Sequence, residues 1–347
     1  MSFKSISCQD RVIKLFQNAL INDRLAHAYI FAGQEGVGKT LFSKELAKVI
    51  FCQHPAGVDA CDACNHCQRI ASDNFSDLFL ILPEKNSRVI KIEQLKYLQD
   101  ILNVKPLESK HKVVIIQSAD KMNEEASNCL LKTLEEPPSY AIMILIVTSL
   151  ESVKETVRSR CQIIRFSPLS MTTVRDILVS RFQLDRKQAE RLAYISNGSI
   201  ERALLLSGTQ AIEKKNWLVD RILKLELDNN LSFSKELFNE WHLQDLEILE
   251  EKRTYVRELI LSFLLYYRDL LVCKMQGEFS MYHTDWRDAL ISKSESLSED
   301  VLFSIINVIK RSLIYLDYNA NIALLLENMI TQILRLQFGK RVPQSIF

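Results

Sequence analysis

A chain of 347 residues, 47% hydrophobic and 25% charged, carries enough apolar side chains to bury two or three cores, which separates it from disordered proteins. No run of about 18 apolar residues is present to cross a bilayer, and the first residues lack the apolar centre of a secretion signal, so a cytoplasmic location without membrane contact is expected. The formal charge of +1 removes a whole-chain field as the basis for nucleic-acid attraction and leaves local patches or partner chains.

In chain order, Ala28-Tyr29-Ile30-Phe31 is a short apolar run of the kind that forms a buried strand, and Leu41 to Ala47 has helical character. Between them stands Gly33-Gln34-Glu35-Gly36-Val37-Gly38-Lys39-Thr40, a match to G-x-x-x-x-G-K-[ST] in its strand, loop and helix setting. Glycines 33, 36 and 38 let backbone N–H groups approach phosphate oxygens, and the helix start adds positive potential. Lys39 is placed to reach the terminal phosphates and Thr40 to ligate magnesium. The competing reading is a retained loop that no longer binds nucleotide.

Half of the eight cysteines fall in Cys52-x8-Cys61-x2-Cys64-x2-Cys67. Cys-x2-Cys turns aim thiolates at a common point, and a fourth thiolate closes the tetrahedral shell of a structural zinc. An iron–sulfur cluster competes, although the closing x3-Cys-Pro of a ferredoxin run is missing, and an unmetallated module is the third reading. His54 and His66 flank the set as polar neighbours. Cys8, Cys129, Cys161 and Cys273 are expected to be small core residues.

Val113 to Ile116 reads as another buried strand, followed by Gln117 and Ser118 where a hydrolysing P-loop ATPase needs an acid for magnesium and a second for water. Asp120 is expected to lie too far round the turn to help. Asn123 reads as an N-cap, with Glu124 and Glu125 in the first turn of a helix running through Leu134. Ile142 to Val147 is a third strand that ends at Thr148. The expected fold is therefore an α/β domain with a parallel sheet over residues 1–166, carrying the cysteine module at about 52–67.

No proline occurs between Pro168 and Pro343, which favours helices throughout the remainder. Residues 167–208 form a small helical unit, with a helix start at Met171-Thr172-Thr173 and a turn at Gly198-Ser199. Residues 209–347 form a second all-α unit, with apolar stripes at helical spacing in Val256 to Val272 and Leu302 to Leu313.

Several segments together resemble the delta-prime family of bacterial DNA polymerase III clamp-loader subunits, within the AAA+ superfamily. They are Leu25-Ala26-His27-Ala28-Tyr29-Ile30-Phe31, the P-loop, the cysteine module, Ile92-Glu93-Gln94-Leu95, Lys112 to Ile116, Asn128-Cys129-Leu130-Leu131-Lys132-Thr133-Leu134-Glu135-Glu136-Pro137-Pro138 and Ser159-Arg160-Cys161. The resemblance is strong over residues 20–168 and mostly architectural beyond. Gamma/tau motors share most of these segments but carry Asp-Glu at the positions of Gln117-Ser118 and an arginine in the lid where this chain has Glu201. Both departures point to the delta-prime type.

The resemblance implies a lid at 167–208, a collar domain at 209–347 that joins a five-membered ring, and Thr148 as a nucleotide-sensing residue. It implies that Arg160 projects into a neighbour's ATP site as an arginine finger, against the plain reading of a surface ion pair; Arg158 is the weaker candidate. Partners implied are gamma/tau-type and delta-type subunits, with the sliding clamp and primed DNA contacted through the assembly. ATP or ADP would be held without hydrolysis, with magnesium lacking its acidic ligand, beside a structural Zn2+. The alternatives are a gamma/tau-like hydrolysing motor and a zinc-stabilised scaffold with a vestigial P-loop.

Overall fold

The computed structural model describes residues 3, 6, 8–84, 89–208, 211–224, 230–241, 249–275, 281–318 and 320–338. The end of the expected collar, 339–347, lies outside them. The chain forms two compact units, Met1–Leu205 and Leu206–Phe347.

The first unit is built on a five-stranded parallel sheet in the order β2-β3-β4-β1-β5, from β1 (Ala28–Ala32), β2 (Leu78–Ile81), β3 (Lys112–Ile116), β4 (Ala141–Val147) and β5 (Gln162–Arg165). Every residue of β1, β3 and β4 is buried, so these strands read as continuous apolar runs covered on both faces. Side chains alternate between the faces. Tyr29 and Phe31 join Phe3, Phe16, Phe42 and Phe166 on one side, against α1 (Asp10–Ile21) and α2 (Lys39–Phe51). Ala28, Ile30 and Ala32 face α4 (Ile92–Asn103) and α5 (Glu124–Glu135) on the other. Between α2 and β2 lies α3 (Asn65–Ala71).

The parallel sheet and the expected strands at 28–31, 113–116 and 142–147 are present. Edge strands β2 and β5 were not anticipated; Leu78-Phe79-Leu80-Ile81 and Ile163-Ile164 are apolar runs too short to stand out. The N-cap at Asn123 is as expected, its side chain accepting from the Ala126 N–H at 2.8 Å. The chain leaves β4 through α6 (Glu155–Arg158), then passes from β5 into α7 (Met171–Phe182), α8 (Arg186–Ile195) and α9 (Ile200–Gly208). Ser170 caps α7, as the helix start at Met171 predicts.

The second unit is all-helical: α10 (Ala211–Leu223), α11 (Asn230–Glu240), α12 (Leu249–Lys274), α13 (Arg287–Glu295), α14 (Glu299–Asp317) and α15 (Ile322–Gln337). Its core gathers on α12, where Phe263, Tyr266, Tyr267 and Leu270 meet Leu302, Ile309 and Ile330. Asp269 is fully buried there, and its Oδ2 accepts from the Tyr282 and His283 N–H groups, each at 2.8 Å. No helix among the described residues is long and apolar enough to cross a membrane.

Candidate functional site

The glycine loop leaves the carboxyl end of β1, between β4 and β5, the place in an open α/β sheet where ligands bind. Gly38 precedes α2 at φ 94°, a left-handed setting that glycine adopts without strain. Gly36, at φ 75°, meets α9 directly: a Cβ there would stand 2.2 Å from Ser199 Oγ and 2.8 Å from Glu201 N. The Ile200 N–H donates to the Gly36 carbonyl at 3.0 Å, and Gln34 Nε2 donates to the Asn197 carbonyl at 2.7 Å.

Lys39 is 6% exposed. Its ammonium donates to the carbonyls of Gly33 and Gln34, the latter at 2.7 Å. Burial lowers its pKa, and Glu35, Asp120 and Glu201 act in the opposite direction. A cavity of about 440 Å³ opens here, within the size range of small-molecule sites. Gly36, Gly38, Lys39 and Thr40 line it together with Gln117, Thr148 and Glu201. Gly33 lies at its edge as a partner of Lys39 and is not in the lining.

The expectation that Asp120 sits too far round the turn needs correction. Ser118 adopts a left-handed φ of 53° and starts a 3-10 turn, Ala119–Lys121, which brings the Asp120 carboxylate back to the strand ends. Asp120 Oδ2 accepts from Thr148 Oγ1 at 2.5 Å. Asp120 is not among the lining residues, so it meets the cavity through Thr148. Glu35, Arg181 and the apolar wall of Ile6, Ile177 and Phe182 also line the cavity and were missed. Glu35 could have been noticed inside the loop itself; Arg181 and the wall arise from tertiary packing and leave no local signal. Arg202, one residue past Glu201, does not line the cavity, as its helical offset predicts.

The four clustered cysteines converge. Their sulfurs lie within 4.8 Å of one another, whereas a tetrahedral site with Zn–S of about 2.3 Å needs them roughly 3.8 Å apart, a small adjustment. Cys52 follows the last residue of α2, Cys64 precedes α3 and Cys67 lies within α3, so two helix ends hold the set. Backbone N–H groups of Cys61 and Cys64 donate to Cys52 Sγ and Cys61 Sγ, each at 3.3 Å, the kind of support that favours thiolates. The set fits a metal with no open position.

His66 is bonded through Nδ1 to the Phe51 carbonyl at 2.9 Å and packs on Phe75, so it flanks the cluster, and His54 is exposed. Burial pushes the Cys161 thiol up to about 12, in keeping with a core residue. Cys8 is a correction: it is exposed, with Sγ 2.8 Å from Thr173 Oγ1.

Arg160 stands between α6 and β5, its side chain 35% exposed. Nη2 donates to Glu135 Oε1 at 2.8 Å and Nη1 to the Thr156 carbonyl at 2.9 Å. Glu135 is the last residue of α5, where a negative charge opposes the helix dipole, so Arg160 supplies the compensating cation. Arg158 differs: its Nε is enclosed without a partner.

A phosphate-type glycine loop on an interior strand of a parallel sheet, with α7, α8 and α9 following β5 and α9 resting on the loop, defines the chain as an AAA+-type P-loop protein. The family described as "DNA polymerase III, delta subunit" matches residues 8–170. DNA polymerase III subunit delta' of Bacillus subtilis is 32% identical over 93% of this chain and 95% of its own length. The tau subunit of the same organism is 26% identical over 89% of this chain and 57% of its own. A gamma subunit-related protein of Thermotoga maritima covers 93% of this chain and 99% of its own, at 17% identity and a TM-score of 0.43. The chain belongs to the delta-prime family of DNA polymerase III clamp-loader subunits.

Proposed function

We propose that this protein is a delta-prime-type stator of a DNA polymerase III clamp loader: it completes a neighbour's ATP site with Arg160 and helps load the sliding clamp on primed DNA. The observation that carries the reading is a pairing within one unit. An intact P-loop faces a strand that ends in Gln117-Ser118, without the acids for metal and water, while a guanidinium stands at the surface with a single carboxylate partner.

In this reading the chain has three parts, an AAA+ domain, a lid at 167–208 and a collar at 209–347 that joins gamma/tau-type and delta-type subunits in the cytoplasm. Gly33, Gly36, Gly38, Lys39, Thr40 and Thr148 hold ATP or ADP without turnover. Cys52, Cys61, Cys64 and Cys67 hold a structural zinc. The deciding experiment adds wild-type or Arg160→Ala protein to the other loader subunits and measures DNA-stimulated ATP hydrolysis. Loss of turnover in the variant, with none in the isolated wild type, supports the stator; equal turnover by both removes the arginine finger.

The Asp120–Thr148 contact favours a second reading, a gamma-like motor in which Asp120 serves the metal. ATP turnover by the isolated chain, abolished by Lys39→Ala, would establish it.

A further inference from the structure

Glu201 has an ordinary explanation and an unusual position. An acid in the first turn of a helix is stabilised by the helix dipole, and α9 begins at Ile200. That accounts for the residue type but not for where the carboxylate faces. It lines the P-loop cavity together with Glu35, within electrostatic reach of Lys39. Although solvent reaches the residue, the cavity walls and Glu35 raise its carboxyl above the usual range, against the pull of Lys39 and Lys121.

Its position is also fixed. The Ile200 N–H bond to Gly36 and the Gln34 bond to the Asn197 carbonyl tie the residues on either side of Ser199 to the loop. The Arg202 N–H donates to Ser199 Oγ at 3.1 Å, closing the first turn of α9. Glu201 therefore enters the cavity on a backbone seated directly against Gly36.

Consider what a nucleotide meets there. Loop amides cradle the inner phosphates, while a terminal phosphate extends beyond them towards Lys39 and the strand ends. Glu35, Glu201 and, behind Thr148, Asp120 all act electrostatically on Lys39, which sets them on this side. Magnesium, which offsets such repulsion in a hydrolysing site, finds Gln117 and Ser118 at the end of β3. A diphosphate fits the cradle and leaves the acidic side to water; a triphosphate adds negative charge where three carboxylates are gathered. We infer that Glu201 is a specificity-determining residue that makes this cavity select nucleoside diphosphates over triphosphates.

The inference rests on the reading that the loop binds nucleotide. The test titrates the isolated full chain with fluorescent N-methylanthraniloyl-ADP and N-methylanthraniloyl-ATP, with magnesium, for wild type, Glu201→Gln and Glu35→Gln. Expected is an ADP analogue bound about tenfold tighter than the ATP analogue by wild type. In Glu201→Gln the ratio narrows at least threefold, through tighter ATP binding, and Glu35→Gln shifts it the same way by less. Equal affinities in wild type, or a ratio unchanged by Glu201→Gln in protein with a wild-type melting curve, overturn the selectivity while leaving binding in place. No binding of either analogue by any variant overturns the binding reading, and the selectivity with it.

Discussion

Lys39 and Arg160 are two cations of one α/β unit, and their surroundings are opposite. Lys39 is 6% exposed and bound by backbone carbonyls of its own loop, whereas the Arg160 side chain is 35% exposed and bound by the side chain of Glu135. A cation enclosed by main chain serves only what enters its own cavity. An exposed ion pair contributes about 0–1 kcal/mol, so its guanidinium can exchange one anion for another at little cost. On the stator reading proposed above, the phosphate-binding motif and the exposed guanidinium serve different nucleotides.

The largest expected effect is on the exposed cation. Arg160→Ala should lower DNA-stimulated ATP turnover of the reconstituted loader by about 10³-fold, since an arginine supplied in trans is worth at least that in related systems. Lys39→Ala should instead weaken nucleotide binding to the isolated chain by about 100-fold and reduce loader turnover far less; a larger loss than with Arg160→Ala would invert the comparison.

Metal removal separates the two cations by structure. Cys52 follows directly on the helix that Lys39 begins, so chelation should release one equivalent of zinc and lower the melting temperature by roughly 10 °C. Elemental analysis and calorimetry before and after chelation check this.

Glu135→Gln should cost Arg160 its orientation, lowering loader turnover about fivefold while leaving the melting temperature nearly unchanged. Its action through Arg160 is checked in the Arg160→Ala background, where the same substitution should have no further effect.

The smallest effect concerns a third cation, Arg69 on α3. Its hydrogen bond, with a second from Ser76, holds the Glu108 carboxyl down at about 2, against an ordinary 4.5. A depressed carboxylate contributes stability that is complete above its unfolded pKa and is lost as pH falls through the folded one. Wild-type stability should therefore decline between pH 4.5 and pH 2 slightly more steeply than that of Glu108→Gln, in denaturant titrations run across that interval.

Local chemistry explains which of these features could be read from residues alone. The P-loop, the buried runs of β1, β3 and β4, the Asn123 cap and the cysteine spacing each act over a few residues, so each leaves a local pattern. Of the acids around Lys39, only Glu35, inside the loop, does. Glu35, Asp120 and Glu201 come together through sheet order and the docking of α9, contacts that join Gln34 to Asn197 across 163 positions. Asp120 stays out of the cavity lining but reaches Thr148, because a single left-handed residue folds the chain back to the strand ends. Cys8 shows that a lone cysteine carries no signal of its own burial.

That left-handed residue also bears on what acids placed at the end of β3 would meet. Ser118 holds φ 53°, and its carbonyl accepts from the Lys121 N–H at 2.9 Å to close the 3-10 turn. Gln117→Asp and Ser118→Glu would set the second acid on a backbone whose left-handed strain of about 1–2 kcal/mol Ser118 already bears. Placing an acidic pair at the end of β3 therefore asks the 3-10 turn that starts at Ser118 to change along with the two side chains.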